Sequence, residues 1–133
     1  MAQQDVNPFC GIWNVRRKIF DQRTSSYSHF EGQACITPTQ FDEHGDTFAN
    51  GAKLRSRRTY SLVTERNRVT VRFPGMREFV CIDDAASQQL AHHCGDDFYK
   101  GRVVFLSTNG RVEVWRVFGP RKDYRSIAFY RRA

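Results

Sequence analysis

Long apolar runs, paired cysteines and a helical repeat of apolar residues are all missing from this sequence. No run approaches the roughly 18 apolar residues that a transmembrane helix needs. The N-terminal stretch MAQQDVNPFCG also lacks the charged and then apolar pattern of a signal peptide. The four cysteines are scattered, at Cys10, Cys35, Cys81 and Cys94, which argues against a disulfide framework. Together these absences predict a cytoplasmic protein with no membrane partner.

Acidic residues are few compared with basic ones. The chain has 21 Lys and Arg against 14 Asp and Glu, for a formal net charge of +7. A nucleic-acid-binding protein usually concentrates its basic residues on one face or arm, whereas here they are spread along the chain and arginine far outnumbers lysine. Arginine is favoured where a planar fork pairs with a carboxylate or stacks on a ring. We therefore expect internally paired arginines and no nucleic-acid partner.

Apolar and polar residues alternate with a period of two along most of the chain, which is typical of β-strands. The predicted strands are 11–20, 27–37, a weak one near 48–54, 57–65, 68–73, 77–83, 88–94, 97–107, 111–119 and 123–132. Residues 38–45 are predicted to form a loop, and Asn109-Gly110 is the strongest hairpin signal. About eight to ten short strands joined by tight turns predict one all-β domain over 1–133, an antiparallel up-and-down barrel.

One stretch, HHCGDDFYKG at 92–101, crowds polar side chains into ten positions. A two-residue turn at Gly95-Asp96 would pair the strands on either side of it, and directly opposed residues share a face. This register groups four polar side chains on one face: His92, Cys94, Asp97 and Tyr99. The face continues through apolar Val103 and Phe105, so we expect it to point into the barrel, as part of the floor or wall of a cavity.

Strand parity sends five further side chains towards the interior: Arg17, Arg58, Tyr60, Arg77 and Arg116. For Arg77 the Pro74-Gly75 turn leaves the register open. The inward position of Arg116 depends on the Asn109-Gly110 turn, because a bulge after Gly110 would turn Trp115 inward instead. A buried arginine must be paired, since an isolated charge in a dry interior is very costly. Asp97 is the best candidate for an inward carboxylate. An excess of inward arginine indicates an anionic or oxygen-rich ligand.

Several motifs resemble known barrels. The G-x-W of Gly11 to Trp13, with Arg131 or Arg132 near the end of the last strand, resembles the lipocalin-like (calycin) pattern, in which the tryptophan packs at the closed end beneath a late basic side chain. The chain is also similar to an uncharacterised lipocalin-like family of bacteria and fungi. The motifs that carry this likeness are H-x-C-x-x-D-x-Y-x-G at 92–101, R-x-Y at 58–60, F-x-G-x-A at 30–34 and W-R-V-x-G-P-x-K-D-Y at 115–124. The resemblance implies a lipocalin-like barrel with a site at the 92–101 run, and no particular activity.

Three functions fit these observations. The first is a barrel that binds a small anionic or oxygen-rich molecule without a cofactor. The second is a cofactor-independent isomerase, dehydratase or cyclase in which His92 and Tyr99 act as base and acid and Asp97 orients the imidazole. The third is haem binding through His92, or zinc binding by His92, Cys94 and Asp97. The same four residues could instead form a hydrogen-bond network that only fixes the hairpin. Nothing in the sequence indicates an oligomeric state.

Overall fold

The computed structural model describes residues 7–75 and 77–133, in which every element is a β-strand. The strands are β1 (Gly11–Asp21), β2 (Ser26–Ile36), β3 (Gln40–Ala49), β4 (Ala52–Glu65), β5 (Arg68–Arg72), β6 (Glu78–Asp83), β7 (Ser87–Cys94), β8 (Asp97–Ser107), β9 (Gly110–Phe118) and β10 (Asp123–Arg132). The predicted all-β, up-and-down barrel of eight to ten strands is confirmed. No helix in the described part of the chain is long and apolar enough to cross a membrane.

The ten strands form one antiparallel sheet in the order β6-β5-β4-β3-β2-β1-β10-β9-β8-β7. The sheet closes on itself except at a seam between its two end strands, β6 and β7. At one end of this seam the side-chain amide of Gln88 pairs with the backbone of Asp83: its Nε2 donates to Asp83 O at 2.9 Å, and its Oε1 accepts from Asp83 N at 2.9 Å. Further along, the ring of His92 packs against Phe79 and Phe73, with centroids 5.4 and 5.8 Å apart. Side chains therefore close the barrel where backbone pairing ends.

The largest departure from the predicted strands concerns β3. Residues 38–45 were predicted as a loop and 48–54 as a weak strand, and both predictions are wrong, because β3 runs from Gln40 to Ala49 and β4 starts at Ala52. The two strands meet at Asn50-Gly51, where both residues have positive φ, 52° and 75°, as a tight hairpin turn requires. Asp42 made this segment resemble a polar loop in the sequence. Its side chain points outward from β3 and forms an ion pair with Arg57 on the neighbouring strand at 2.9 Å.

The closed end of the barrel forms where β1 begins and β10 ends. Phe9 and Trp13 are buried there, and the Trp13 Nε1 donates to Phe9 O at 3.2 Å. The Arg132 guanidinium lies 4.1 Å from the Trp13 ring centroid. It also donates to three carbonyl oxygens, those of Pro8, Cys10 and Thr108, at 2.9–3.1 Å. Arg132, rather than Arg131, is the late basic side chain that covers the tryptophan.

The interior is hollow above this floor because one side of the barrel carries small side chains. Small side chains occupy several of the positions of β2 and β10 that line the space, Ser26, Ser28, Ser126 and Ala128, while Tyr124 and Tyr130 lie at the two ends of the β10 face. Large side chains point inward from the opposite strands, including Tyr60, Phe79 and Trp115. The mismatch in size leaves a cavity of about 470 Å³.

Replacing Arg132 with alanine should lower the free energy of unfolding by about 2–3 kcal/mol, because three carbonyl groups lose a charged donor and Trp13 loses its cover. Arg131→Ala is the matched control, since Arg131 is exposed on the outer face, and it should cost less than about 0.5 kcal/mol. Urea denaturation followed by circular dichroism measures both. Equal losses would show that Arg132 does not hold the closed end.

Candidate ligand-binding site

The cavity extends from Phe9 at the closed end to Asp21 and Asn50 at the open end. Its volume of about 470 Å³ lies within the range of roughly 300–1,000 Å³ that is usual for small-molecule sites. Its wall has two zones. Ionisable and hydroxyl side chains form one: Arg17, Arg58, Glu113, Tyr124 and Tyr130. Aromatic side chains form the other: Tyr60, Phe73, Phe79, Tyr99 and Trp115.

A carboxylate from β3, Glu43, organises the charged zone. Its two oxygens accept from the terminal nitrogens of Arg17, at 2.8 and 2.9 Å. The hydroxyl of Tyr130 donates to Oε2 at 2.9 Å, and the Arg58 Nε lies 3.0 Å from Oε1. Only 2% of the Glu43 side chain is exposed. This set joins four strands, β1, β3, β4 and β10, through one buried group.

The surroundings fix the protonation state of these groups. Burial alone would raise the pKa of Glu43, but the charges of Arg58 and Arg17 and the Tyr130 hydroxyl outweigh it and lower the pKa to about 2. Burial, reinforced by the carboxylates of Glu43 and Glu113, raises the pKa of Tyr130, which stays a neutral donor. Burial opposes the charge of Arg58, yet the Glu43 carboxylate raises its pKa. Glu43 is therefore an anion between two permanent cations at neutral pH.

Arg58 is placed differently from Arg17. Its Cζ lies 5.6 Å from the Tyr60 ring centroid and 5.9 Å from that of Phe41. Protein surrounds the guanidinium, yet 43% of the side chain is accessible, because it lines the cavity. Its contact with Glu43 is made through Nε, and within the described residues its two terminal nitrogens have no hydrogen-bond partner. Those nitrogens are available to a molecule in the cavity.

A second ion pair lies nearer the closed end, on β9. Arg111 is fully buried and its Nε donates to Glu113 Oε2 at 3.0 Å. The Arg111 guanidinium lies between the rings of Tyr130 and Phe9, 3.8 and 4.3 Å from their centroids. The other oxygen of Glu113 accepts from Trp115 Nε1 at 3.3 Å. Together the two clusters hold three guanidinium groups and two carboxylates, which leaves one positive charge in excess.

The predicted register of the 92–101 hairpin is confirmed: Cys94 pairs with Asp97 and His92 with Tyr99. The hairpin stands at the open end of the barrel, so its residues form part of the rim and upper wall rather than the floor. Tyr99 lines the cavity. Asp97 forms an ion pair with Lys122 at 3.4 Å instead of with an inward arginine.

His92 and Cys94 are half-buried beside the cavity and do not contribute to its lining. The His92 ring lies 6.1 Å from that of Tyr99, and its Nε2 is buried without a hydrogen-bond partner in the described residues. Between 7 and 75 and between 77 and 133, no three His, Cys, Asp or Glu side chains are grouped so that they could hold a metal ion. Of the four residues that share this face of the hairpin, Tyr99 alone lines the cavity.

Two of the predicted inward arginines lie elsewhere. The ladder between β8 and β9 shifts between Phe105 and Ser107, which sets Trp115 opposite Gly101 and turns Arg116 outward. Arg116 donates to Asp123 at 3.1 Å on the outer face. Arg77 is exposed and lies 5.3 Å from the Phe73 ring centroid. The inward prediction was wrong for Arg116 because the bulge moves every later residue of β9 by one position.

The remaining predicted side chains, Arg17, Arg58 and Tyr60, do line the cavity. Sequence reasoning missed Glu43, Glu113 and Tyr130. Glu43 was missed because residues 38–45 were predicted to form a loop, although Phe41, Glu43 and Gly45 alternate as the positions on one face of a strand do. Tyr130 shares its strand face with three other cavity residues, so strand parity alone would have found it.

No curated protein sequence matches this chain. Among the solved structures that share its fold are a phycobiliprotein lyase and a protein of unknown function. The S-type phycobiliprotein lyase CPES from Guillardia theta superposes with a TM-score of 0.64 at 9% identity, over 95% of this chain and 89% of that one. A protein of unknown function of the DUF3598 family from Nostoc punctiforme superposes with a TM-score of 0.63 at 9% identity, over 96% of this chain and 48% of that one, so this chain spans about half its length.

At 9% identity, these two similarities show only that the fold is shared. The sequence itself matches a family model over residues 9–132, nearly its whole length. This agrees with the expectation of an uncharacterised β-barrel family. The chain belongs to DUF6314, a family of unknown function.

Proposed function

We propose that this protein binds a small anionic molecule in the barrel cavity, with Arg58 as the group that pairs with its charge. The observation that supports this proposal concerns the Arg58 guanidinium. It lines a cavity of about 470 Å³, and its two terminal nitrogens have no partner among the described residues. Arg58 meets Glu43 through Nε, and 43% of its side chain is accessible. A bound anion would therefore pair with the terminal nitrogens in a charge-assisted contact without displacing Glu43.

The charges around Arg58 support the same conclusion. Arg17 already makes both hydrogen bonds of a bidentate pair with Glu43, so Arg58 is not needed to neutralise this carboxylate. Arg111 and Glu113 pair with each other. The guanidinium in excess in these two clusters is therefore Arg58, which lines the cavity with its terminal nitrogens unpaired among the described residues.

The geometry lends less support to the other two hypotheses. Acid–base chemistry by the hairpin requires Asp97 to orient His92, whereas Asp97 pairs with Lys122. Haem or metal binding through His92 requires this ring to face the cavity, whereas it packs between Phe73 and Phe79. Both hypotheses stay predictions from the sequence.

The proposal depends on an ionised Glu43, because its carboxylate binds the terminal nitrogens of Arg17 and contacts the Nε of Arg58. Glu43→Gln should lower the free energy of unfolding at pH 7 by about 3–5 kcal/mol, because it leaves buried guanidinium groups without their carboxylate. Asp42→Asn is the matched control on the outer face of the same strand, where its pair with Arg57 is partly exposed, and it should cost less than about 1 kcal/mol. Urea denaturation measures both.

The same network predicts the acid dependence of stability. The pKa of Glu43 is lowered in the folded protein, from an ordinary 4.5 to about 2, so its contribution is complete above pH 4.5 and declines as the pH falls towards 2. Denaturation curves between pH 2 and 7 should show this decline in the wild type and a shallower one in Glu43→Gln. Parallel curves for the two proteins would contradict the assignment.

Arg58→Gln should weaken binding of the anionic probe 8-anilinonaphthalene-1-sulfonate by about tenfold or more, because a charge-assisted contact is lost. The neutral analogue N-phenyl-1-naphthylamine should bind the wild type and the variant alike. Fluorescence titration of both probes separates the loss of charge from a change in cavity shape.

Arg57→Gln provides the matched control, since Arg57 neighbours Arg58 on β4 but faces outward and pairs with Asp42. It should leave the affinity for the sulfonate unchanged. An equal loss in both variants would mean that the probe responds to overall charge, and would count against a site at Arg58. Near-ultraviolet circular dichroism checks that each variant is folded.

A further inference from the structure

We propose that the ligand is an aromatic monocarboxylate, with its acid group on the terminal nitrogens of Arg58 and its ring system against the aromatic zone of the cavity. This inference rests on the proposed function and assigns a chemical class to the ligand. It requires three features: a fork that fits two oxygens, a single excess charge, and a fixed aromatic wall beside the fork.

The fork is provided by the way Arg58 meets Glu43. The contact with Glu43 uses Nε, which leaves the edge of the guanidinium that carries the two terminal nitrogens. A carboxylate fits such an edge with two parallel N–H···O bonds. Arg17 demonstrates this geometry in the same cavity, since its terminal nitrogens bond the two oxygens of Glu43 at 2.8 and 2.9 Å.

The charge of the site favours a monoanion. In the two ion-pair clusters, three guanidinium groups and two carboxylates leave one positive charge, while Asp21, the further carboxylate of the cavity lining, lies at the open end. A monocarboxylate would neutralise this charge, whereas a phosphate dianion would leave one negative charge in excess inside the barrel. A monocarboxylate therefore matches the charge of the two clusters better than a phosphate dianion does.

The wall beside Arg58 is aromatic and begins at Tyr60, whose ring lies 5.6 Å from the Arg58 guanidinium. The rings of Tyr60 and Phe79 stack with an interplanar angle of 17° and a centroid distance of 6.1 Å, and those of Phe79 and Trp115 with 25° and 5.4 Å. This row of three offset, near-parallel rings lines the cavity. A planar ligand next to it would extend the row, and aromatic rings favour such offset stacking.

Trp115 is held in place for this role. Its Nε1 donates to Glu113 at 3.3 Å. Its ring lies against Gly101 on the neighbouring strand, where a Cβ would approach the ring atoms to within 2.6–2.8 Å. Only glycine therefore leaves room for the indole at this position. Serines and an alanine line the other side of the cavity, which leaves a space that a flat ring system can enter.

Isothermal titration of the wild type with three matched compounds tests the inference. 2-Naphthoate carries both the ring and the acid, decahydro-2-naphthoate keeps the acid on a saturated skeleton, and 2-naphthamide keeps the ring without the charge. We expect naphthoate to bind roughly threefold to tenfold more tightly than its saturated analogue. It should bind about tenfold or more tightly than the amide.

A pair of variants locates the ring. Phe79→Leu should remove most of the preference for naphthoate over its saturated analogue. Phe98→Leu should keep it, because Phe98 is 41% exposed on the outer face, where it stacks on Phe118. An unchanged preference in Phe79→Leu would overturn the assignment of the wall. The comparison of compounds on the wild type needs no variant, so it holds even if Phe79→Leu does not fold.

The outcomes separate the two proposals. Equal affinity for naphthoate and decahydronaphthoate would overturn the aromatic class while leaving an anion site in place. Equal affinity for naphthoate and naphthamide would overturn the carboxylate class. If the anilinonaphthalene sulfonate binds through Arg58 but naphthoate does not bind, the inference fails and the proposed function stands. If neither anion binds, both proposals fail.

Discussion

The Glu43 carboxylate, held by Arg17, Tyr130 and the Nε of Arg58, makes a charged interior compatible with this fold. The distances are 2.8–3.0 Å, and the group is almost completely buried. Without a carboxylate at this point, two guanidinium groups would face each other in a space of low dielectric constant, at a cost of several kcal/mol for each ion. Because its partners come from β1, β4 and β10, the same group also links strands that are not all neighbours in the sheet.

The closed end supplies a second stabilising contact, in which Arg132 covers Trp13 and joins the segment before β1, the end of β10 and the turn at Thr108. Small side chains on β2 and β10 leave part of the space above it unfilled. The two solved structures with the same fold share 9% identity with this chain. The same fold is therefore compatible with very different sequences, so the residues that line the cavity are a feature of this chain and not of the fold.

Much of the candidate site followed from alternation along single strands. The hairpin around Gly95 was placed in the right register, because glycine at the first turn position has a positive φ of 61°. Arg17, Arg58 and Tyr60 were assigned to the interior by parity, and they line the cavity. Alternation could not predict whether the hairpin lies at the closed end or at the open end of the barrel. Parity tells which face a side chain takes, while its height in the barrel depends on how ten strands are staggered.

The sequence by itself determined the class of fold, most of the strands and the inward direction of Arg17 and Arg58, because period-two alternation and turn residues act over a few positions. The tryptophan at the closed end was implied by the resemblance to lipocalin-like barrels. Tertiary structure decided which carboxylate meets those arginines, since Glu43 and Arg17 are 26 residues apart. It also decided that Trp115 and not Arg116 enters the cavity. A single bulge in the ladder between β8 and β9 inverts the faces of the residues that follow, and alternation within β9 is the same with or without it.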